Sequence, residues 1–207
     1  TLGEGGMIVT NNIEFSKIIP SLIKIGYSPF TNQIKYWKPA MSNIIESIAG
    51  KLPNNFKMAE INALAGNLIL GRYENIILNR KNYFNKIVNE LKGYTELKFQ
   101  IIDEGLSPAY HLIPAFFDGN KLNKTNDDLI NDLYEDFGIK CVVQYYPLYK
   151  YELFINNGYN TNNSVCPVTE LFFDNMISFP FKSEMTKAEI AYLISSIKTV
   201  LDSYRKI

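Results

Sequence analysis

The stretch from Met58 to Leu91 constrains the fold more than any other part of the sequence. In MAEINALAGNLILGRYENIILNRKNYFNKIVNEL the apolar residues recur at three- and four-residue spacing, the pattern of a helix with one buried stripe. Met58, Ile61, Leu64, Ala65 and Leu68 mark the first half. Tyr73, Ile76, Ile77, Tyr83, Phe84, Ile87, Val88 and Leu91 mark the second. Gly66 and Gly71 interrupt it, each costing roughly 1 kcal/mol relative to Ala in a helix interior. Two explanations stand open. A neighbour approaches closely at these glycines, or a long helix becomes a bent pair with its hinge near Gly71.

The texture differs on the two sides of this element. Ahead of it, the turn TLGEGG precedes a short apolar run, Met7–Thr10, expected as a strand. Asn12 is placed to cap a helix from Ile13 to Ile25, Gly26 to stop it, and Pro20 to kink it. Residues 27–57 read as an irregular connection, too aromatic at Tyr27, Phe30, Tyr36 and Trp37 for a loose linker. After Gly93 the elements shorten. Leu97–Ile102, Tyr110–Phe117, Ile139–Tyr145 and Met176–Phe179 are expected strands, and residues 150–176 a long loop turning at Asn157-Gly158. Thr125 is expected as an N-cap with Asp128 at the N3 position, and Thr186 with Glu189 as a capping box. They begin helices ending at Phe137, before Gly138, and at Tyr204, with Met185 and Ile190 as a staple for the second. The expected division is 1–92 and 93–207, in an α/β chain.

Composition narrows the function. Lys+Arg and Asp+Glu are both 21, so formal net charge is zero, against the basic excess that nucleic acid or an anionic membrane calls for. The densest basic run, Asn79-Arg80-Lys81, reads as a solvated helix face. No run is long enough to span a membrane and no signal peptide stands before the first strand. Cys141 and Cys166 have no metal-ligand spacing and read as reduced thiols. A soluble cytoplasmic protein without a metal site is expected.

Catalytic options read directly from the residues are few. His111 is the one histidine. A hydrogen-bonded structural role and an acid, base or ligand role are both open to it. Asp127, Asp128 and Asp132 lie on a helix without partner ligands and read as a solvated face. The GEGG turn is either a tight turn where glycine supplies positive φ, or backbone made narrow beside a flat ligand.

Several pieces occur together in order: GEGG with MIVTNN, LPNNFKMAEINALAG, RYENIILNRKNYFNKIVNEL, AYHLIPAFF, GIKCVVQYYPLY and ISFPFKSEMTKAEI. This set resembles the C-terminal part of the DegT/DnrJ/StrS sugar aminotransferases, across essentially the whole chain. The resemblance implies the fold-type I fold of pyridoxal-phosphate enzymes. The end of a large-domain sheet, a long interdomain helix and a small C-terminal α+β domain are expected. It also implies a homodimer with a shared active site, pyridoxal 5′-phosphate as cofactor, and amino transfer from an amino-acid donor, usually glutamate, to a nucleotide-linked keto-sugar.

Carried over residue by residue, Asn55 matches the family asparagine that reaches the partner's cofactor phosphate, where an amide donor suits an anionic oxygen. A helix-entry turn residue is its other reading. Lys57, expected to bind substrate, stands where the family has arginine, keeping the charge and losing the fork. His111 falls at a position near the active-site mouth, and Tyr146 belongs to the Tyr-Pro turn near the sugar-nucleotide pocket. For both, core packing is equally open. Pro53 and Asn54 depart from the pattern, and Tyr145 replaces a more usual His. By the family's spacing the Schiff-base lysine falls just upstream of Thr1. The chain alone is therefore expected to lack transaminase activity, and none of its own residues is assigned as catalytic. Two other functions remain open: a sugar dehydratase of the same family, in which histidine replaces that lysine, and a non-catalytic dimerisation module.

Overall fold

A computed structural model describes residues 2–24, 54–158 and 166–206. By compactness the chain divides into two units, 1–73 and 74–207. The aromatic connection from 27, the Gly26 stop and Pro53 fall outside the described residues.

In the first unit, Asn12 caps helix α1 (Ile13–Leu22) as expected. Its side-chain oxygen accepts from the Glu14 and Phe15 amides at 2.9 and 3.1 Å. The helix ends at Ile23, with Pro20 inside it. The Met7–Thr10 run has no ladder among the described residues, and Met7, Ile8 and Val9 are exposed. A strand needs a neighbour to take its backbone groups, and none is present here. The long element is two helices, α2 (Glu60–Leu70) and α3 (Tyr73–Leu91), interrupted at Gly71-Arg72. Gly66 has the close neighbour. A Cβ there would stand 3.5 and 3.6 Å from the Leu2 methyls.

The second unit is built on a three-stranded antiparallel sheet in the order β1 (Leu97–Phe99), β2 (Ile113–Phe117), β3 (Met176–Phe179). Phe117 pairs with Leu97, and Ile113 with Phe179. β2 alternates, burying Ile113, Ala115 and Phe117, as period-two geometry requires. That face shares one core with Phe84, Ile87 and Leu91 of α3, with Leu129 and Leu133 of α4 (Asn126–Phe137), and with the stripe of α7 (Lys187–Tyr204) from Ile190 to Leu201. Met185 and Ile190 are both buried there.

Four expectations are corrected. The first two expected strands are shorter, so His111 precedes β2 instead of lying in it. The 139–145 segment makes a single bridge, Val142 with Ser178, and Val142 and Val143 are exposed while Ile139 and Cys141 are buried. The 150–176 stretch carries α5 (Glu152–Asn156) and α6 (Pro167–Asn175) within its described part. Pro167 at the start of α6 supplies the preset φ of a first helical turn. The solvated run at Arg80 is also revised, as described below.

Both capping boxes form. At α7 the Thr186 amide donates to Glu189 at 2.7 Å and Lys182 to its other oxygen at 2.9 Å. The backbone donor first, then Lys182, lower the Glu189 carboxyl from 4.5 to about 2. A depressed acid stabilises the fold above its unfolded value and loses that contribution as pH falls through its folded one. Chemical denaturation should therefore find Glu189→Gln less stable than the parent near neutrality. The gap should close as pH falls from about 4.5 toward about 2, and a gap independent of pH would contradict the box.

Candidate functional site

The opening turn is held in place by packing and by one polar contact. Gly3 has φ +72°, which admits the turn, and a Cβ on Gly5 would stand 3.2 Å from Met58 Cε. Asn62 Nδ2 donates to the Glu4 carbonyl at 3.4 Å. The turn thus lies on the first half of α2. Opposite, the strip 54–57 is tied to the end of α1. The Phe56 amide donates to the Ile23 carbonyl at 3.0 Å, and Asn55 bridges Lys24. Between turn and strip opens a concavity of about 880 Å³, bordered by Glu4, Gly5, Met7, Ile19, Phe56 and Lys57. Lys57 is its cation. α2 begins beside it at Ala59 without a side-chain cap, with Glu60 in its first turn, and the start of a helix favours an anion.

Asn55 and Lys57 are thus brought together on one exposed strip, but only Lys57 borders the concavity. His111 and Tyr146 belong to the second unit and sit at different places in it. His111, exposed, borders a cavity of about 250 Å³ with Phe84, Gln100, Ile102 and Tyr110. Tyr146 is partly exposed. Its ring stands edge-on to Tyr151 at 5.0 Å and to Phe173 at 5.5 Å, a favourable aromatic geometry.

Two arrangements were not foreseen. Arg80 Nη1 donates to the Tyr110 and His111 carbonyls at 2.8 and 3.0 Å. Beside Tyr146, Glu170 accepts from Tyr149 Oη at 2.9 Å and pairs with Lys150. Lys150 first, then Tyr149, hold the Glu170 carboxyl below its usual range. Glu170 and Phe173 stand one turn apart on α6, so one helix face orders the whole 146–151 turn. Neither arrangement leaves a local sequence signal, since the partners are 20 to 31 residues apart.

Among the described residues no three His, Cys, Asp or Glu side chains gather as a metal site, and no helix is long and apolar enough to cross a membrane.

An ordered helix pair, a small antiparallel sheet and a glycine turn on the first helix define a recognisable class of fold. Residues 1–198 match the DegT/DnrJ/EryC1/StrS aminotransferase family, and the chain belongs to it. A protein of Methanocaldococcus jannaschii, MJ1066, is 25% identical over 206 residues, covering 99% of this chain and 52% of its own length. Helicobacter pylori PseC, an aminotransferase of pseudoaminic acid biosynthesis, superposes with TM-score 0.78 at 18% identity, over 98% of this chain and 50% of its own. The PMP form of Spr1654 of Streptococcus pneumoniae superposes with TM-score 0.72 at 22% identity, over 94% of this chain and 47% of its own. The fold is therefore that of the fold-type I aminotransferases, and the chain spans about half the length of these proteins.

Membership implies pyridoxal 5′-phosphate as cofactor. The concavity fits such a group. Its walls are largely apolar, as a flat ring requires, and Lys57 with the uncapped start of α2 suits an anionic arm.

Cys141 offers no nucleophile. Burial pushes its thiol up to about 12, far from the thiolate that reacts. Thiol labelling mapped by mass spectrometry should leave Cys141 unmodified in the native chain and modify it fully in denaturant. Rapid native labelling at Cys141 would contradict this burial.

Proposed function

We propose that this chain is part of a pyridoxal-phosphate-dependent sugar aminotransferase that moves an amino group, from glutamate as donor, to a nucleotide-linked keto-sugar for surface polysaccharide or aminosugar synthesis. The observation that carries this reading is the family match over residues 1–198. The bound cofactor supplies the electron sink for the transfer. This chain's own residues bind and orient. Lys57 places a positive charge at the concavity, and Asn55 offers an amide to a phosphate oxygen, in a homodimer whose active sites are shared. His111 and Tyr146 face the sugar substrate, and the enzyme works in the cytoplasm. In the proposed division, residues 1–92 belong with the large cofactor domain and 93–207 with the small C-terminal domain, although by compactness α3 groups with the second unit.

The test is made on the full-length enzyme. Its absorbance should show bound pyridoxal phosphate, and borohydride should fix the cofactor to a lysine. Absence of a fixed lysine adduct overturns the aminotransferase reading, and a histidine at that position points instead to the dehydratase.

Removing one charge-assisted contact costs about 1.5–3 kcal/mol. Lys57→Ala should therefore weaken cofactor binding about tenfold or more, with Asn55→Ala in the same direction and Lys57→Arg close to the parent. Equilibrium binding of pyridoxal phosphate to the apoenzyme reads this out. Unchanged affinity in both alanine variants removes them from the phosphate site.

A further inference from the structure

Arg80 lies on α3 in a run that looks solvated, yet its guanidinium is half-buried and turned onto backbone. Nη1 donates to two successive carbonyls, Tyr110 at 2.8 Å and His111 at 3.0 Å. The guanidinium carbon also stands 5.5 Å from the centre of the Phe181 ring, within cation–π range. Its target is a strained point of the chain. Tyr110 has φ +49°, a conformation that non-glycine side chains with bulk rarely adopt. The Tyr110 ring is buried against Phe84, 5.2 Å between centres, and Phe84 is itself on α3, one turn beyond Arg80. One face of α3 therefore grips both ends of the same residue, ring and carbonyl.

The consequence falls on the next side chain. His111 follows the kink directly, is exposed, and borders the cavity of about 250 Å³. Held in ordinary extended backbone, residues 110 and 111 would point to opposite faces, and the kink changes which way the imidazole leaves the chain. We infer that Arg80 is a positioning residue. By clamping the Tyr110 and His111 carbonyls it holds the kink and so sets the direction of the His111 imidazole at the cavity. Both bonds leave from one nitrogen, so a side chain with no donor at that place, methionine or alanine, removes the clamp. The clamp stands on this geometry. Only its use, to present His111 to substrate, rests on the function proposed above.

His111 is the one histidine, so its imidazole gives a single resolvable set of proton resonances. In the parent protein these should lie away from free-histidine positions and show cross-relaxation to the Tyr110 or Phe84 ring. Arg80→Met and Arg80→Ala should both lose that cross-relaxation and move the resonances toward free-histidine values, while circular dichroism reports an intact fold. As a control, Arg205→Lys, remote from the clamp in the same unit, should leave the resonances where they are. Unchanged imidazole resonances in a folded Arg80 variant overturn the clamp. If neither variant folds, the parent decides it: the Nη1 protons must be slow to exchange and coupled to carbonyl carbons 110 and 111, and their absence overturns the clamp. In the full-length enzyme, Arg80→Met should raise KM for the sugar as His111→Ala does, with no further rise in the double variant. Shifted resonances with unchanged KM in both single variants would keep the clamp and overturn the substrate-facing reading of His111.

Discussion

The second unit depends on one buried surface, the inward face of β2. Ile113 and Phe117 are fully buried and Ala115 nearly so. As the middle strand, β2 has both its backbone edges taken by β1 and β3, so its register sets theirs. A one-residue slip would turn Ile113, Ala115 and Phe117 to the other face. The stripe of α7 and the ends of α3 and α4 share the core with this face. The exit from β2 is equally constrained. A side chain at Gly119 would meet the Lys124 carbonyl oxygen at 2.1 Å and the Phe117 ring at 2.6 Å, so only glycine fits the turn that leads into the α4 capping box. The entry to β2 is the Tyr110–His111 kink. The strand thus locates a candidate site residue by being unable to move.

A net charge of zero conceals a specific arrangement of charges. Arg205, near the end of α7, makes two bonds to the buried Glu96, at 3.0 and 2.8 Å, and a third to the Gly93 carbonyl at 3.1 Å, with its guanidinium over the Tyr94 ring. Lys198 reaches Glu90 at 2.8 Å. These contacts join the end of α3 and the start of β1 to the last turns of α7, across more than 100 residues of sequence. A bidentate pair with a buried carboxylate is the kind that keeps its geometry, whereas exposed pairs such as Lys17 with Glu14 contribute little. Arg80 uses the same chemistry for another end, since its acceptors are carbonyls of a strained turn.

What was legible in the sequence was local. The Asn12 and Thr125 caps, the Thr186 capping box, the Gly138 stop, the break near Gly71 and β3 each rest on residues a few positions apart, and the fold keeps all of them. What depended on distant partners was not legible. Met7–Thr10 has strand composition but no neighbour among the described residues. The 139–145 segment alternates, yet only Val142 finds Ser178. α5 and α6 lie where glycine and asparagine suggested loop, because their stability comes from packing against Tyr146 and β2 and not from propensity. Of the candidate site residues, Lys57 was named by the family resemblance and not by local spacing, and the fold sets it beside the concavity. Arg80 and Glu170 had no such signal, because their acceptors and donors come from elsewhere in the fold.

Lys57 also shows why family membership and local geometry have to be read together. Its ammonium is exposed, and a charge pair at 4 Å in bulk water is worth only about 1 kcal/mol, against about 4 kcal/mol at the effective dielectric of a protein surface. An anionic arm resting on Lys57 in an open concavity would therefore bind weakly. The same lysine beneath further protein, with water displaced, would hold that anion more tightly by roughly 3 kcal/mol, on the order of a hundredfold. The apolar residues that surround it and stay exposed, Met7, Ile8 and Phe56, form a rim that gains by being covered. Charge and rim point to one condition: the concavity would become a strong anion site if another protein surface closed over it. The shared active site proposed for the homodimer would supply that cover.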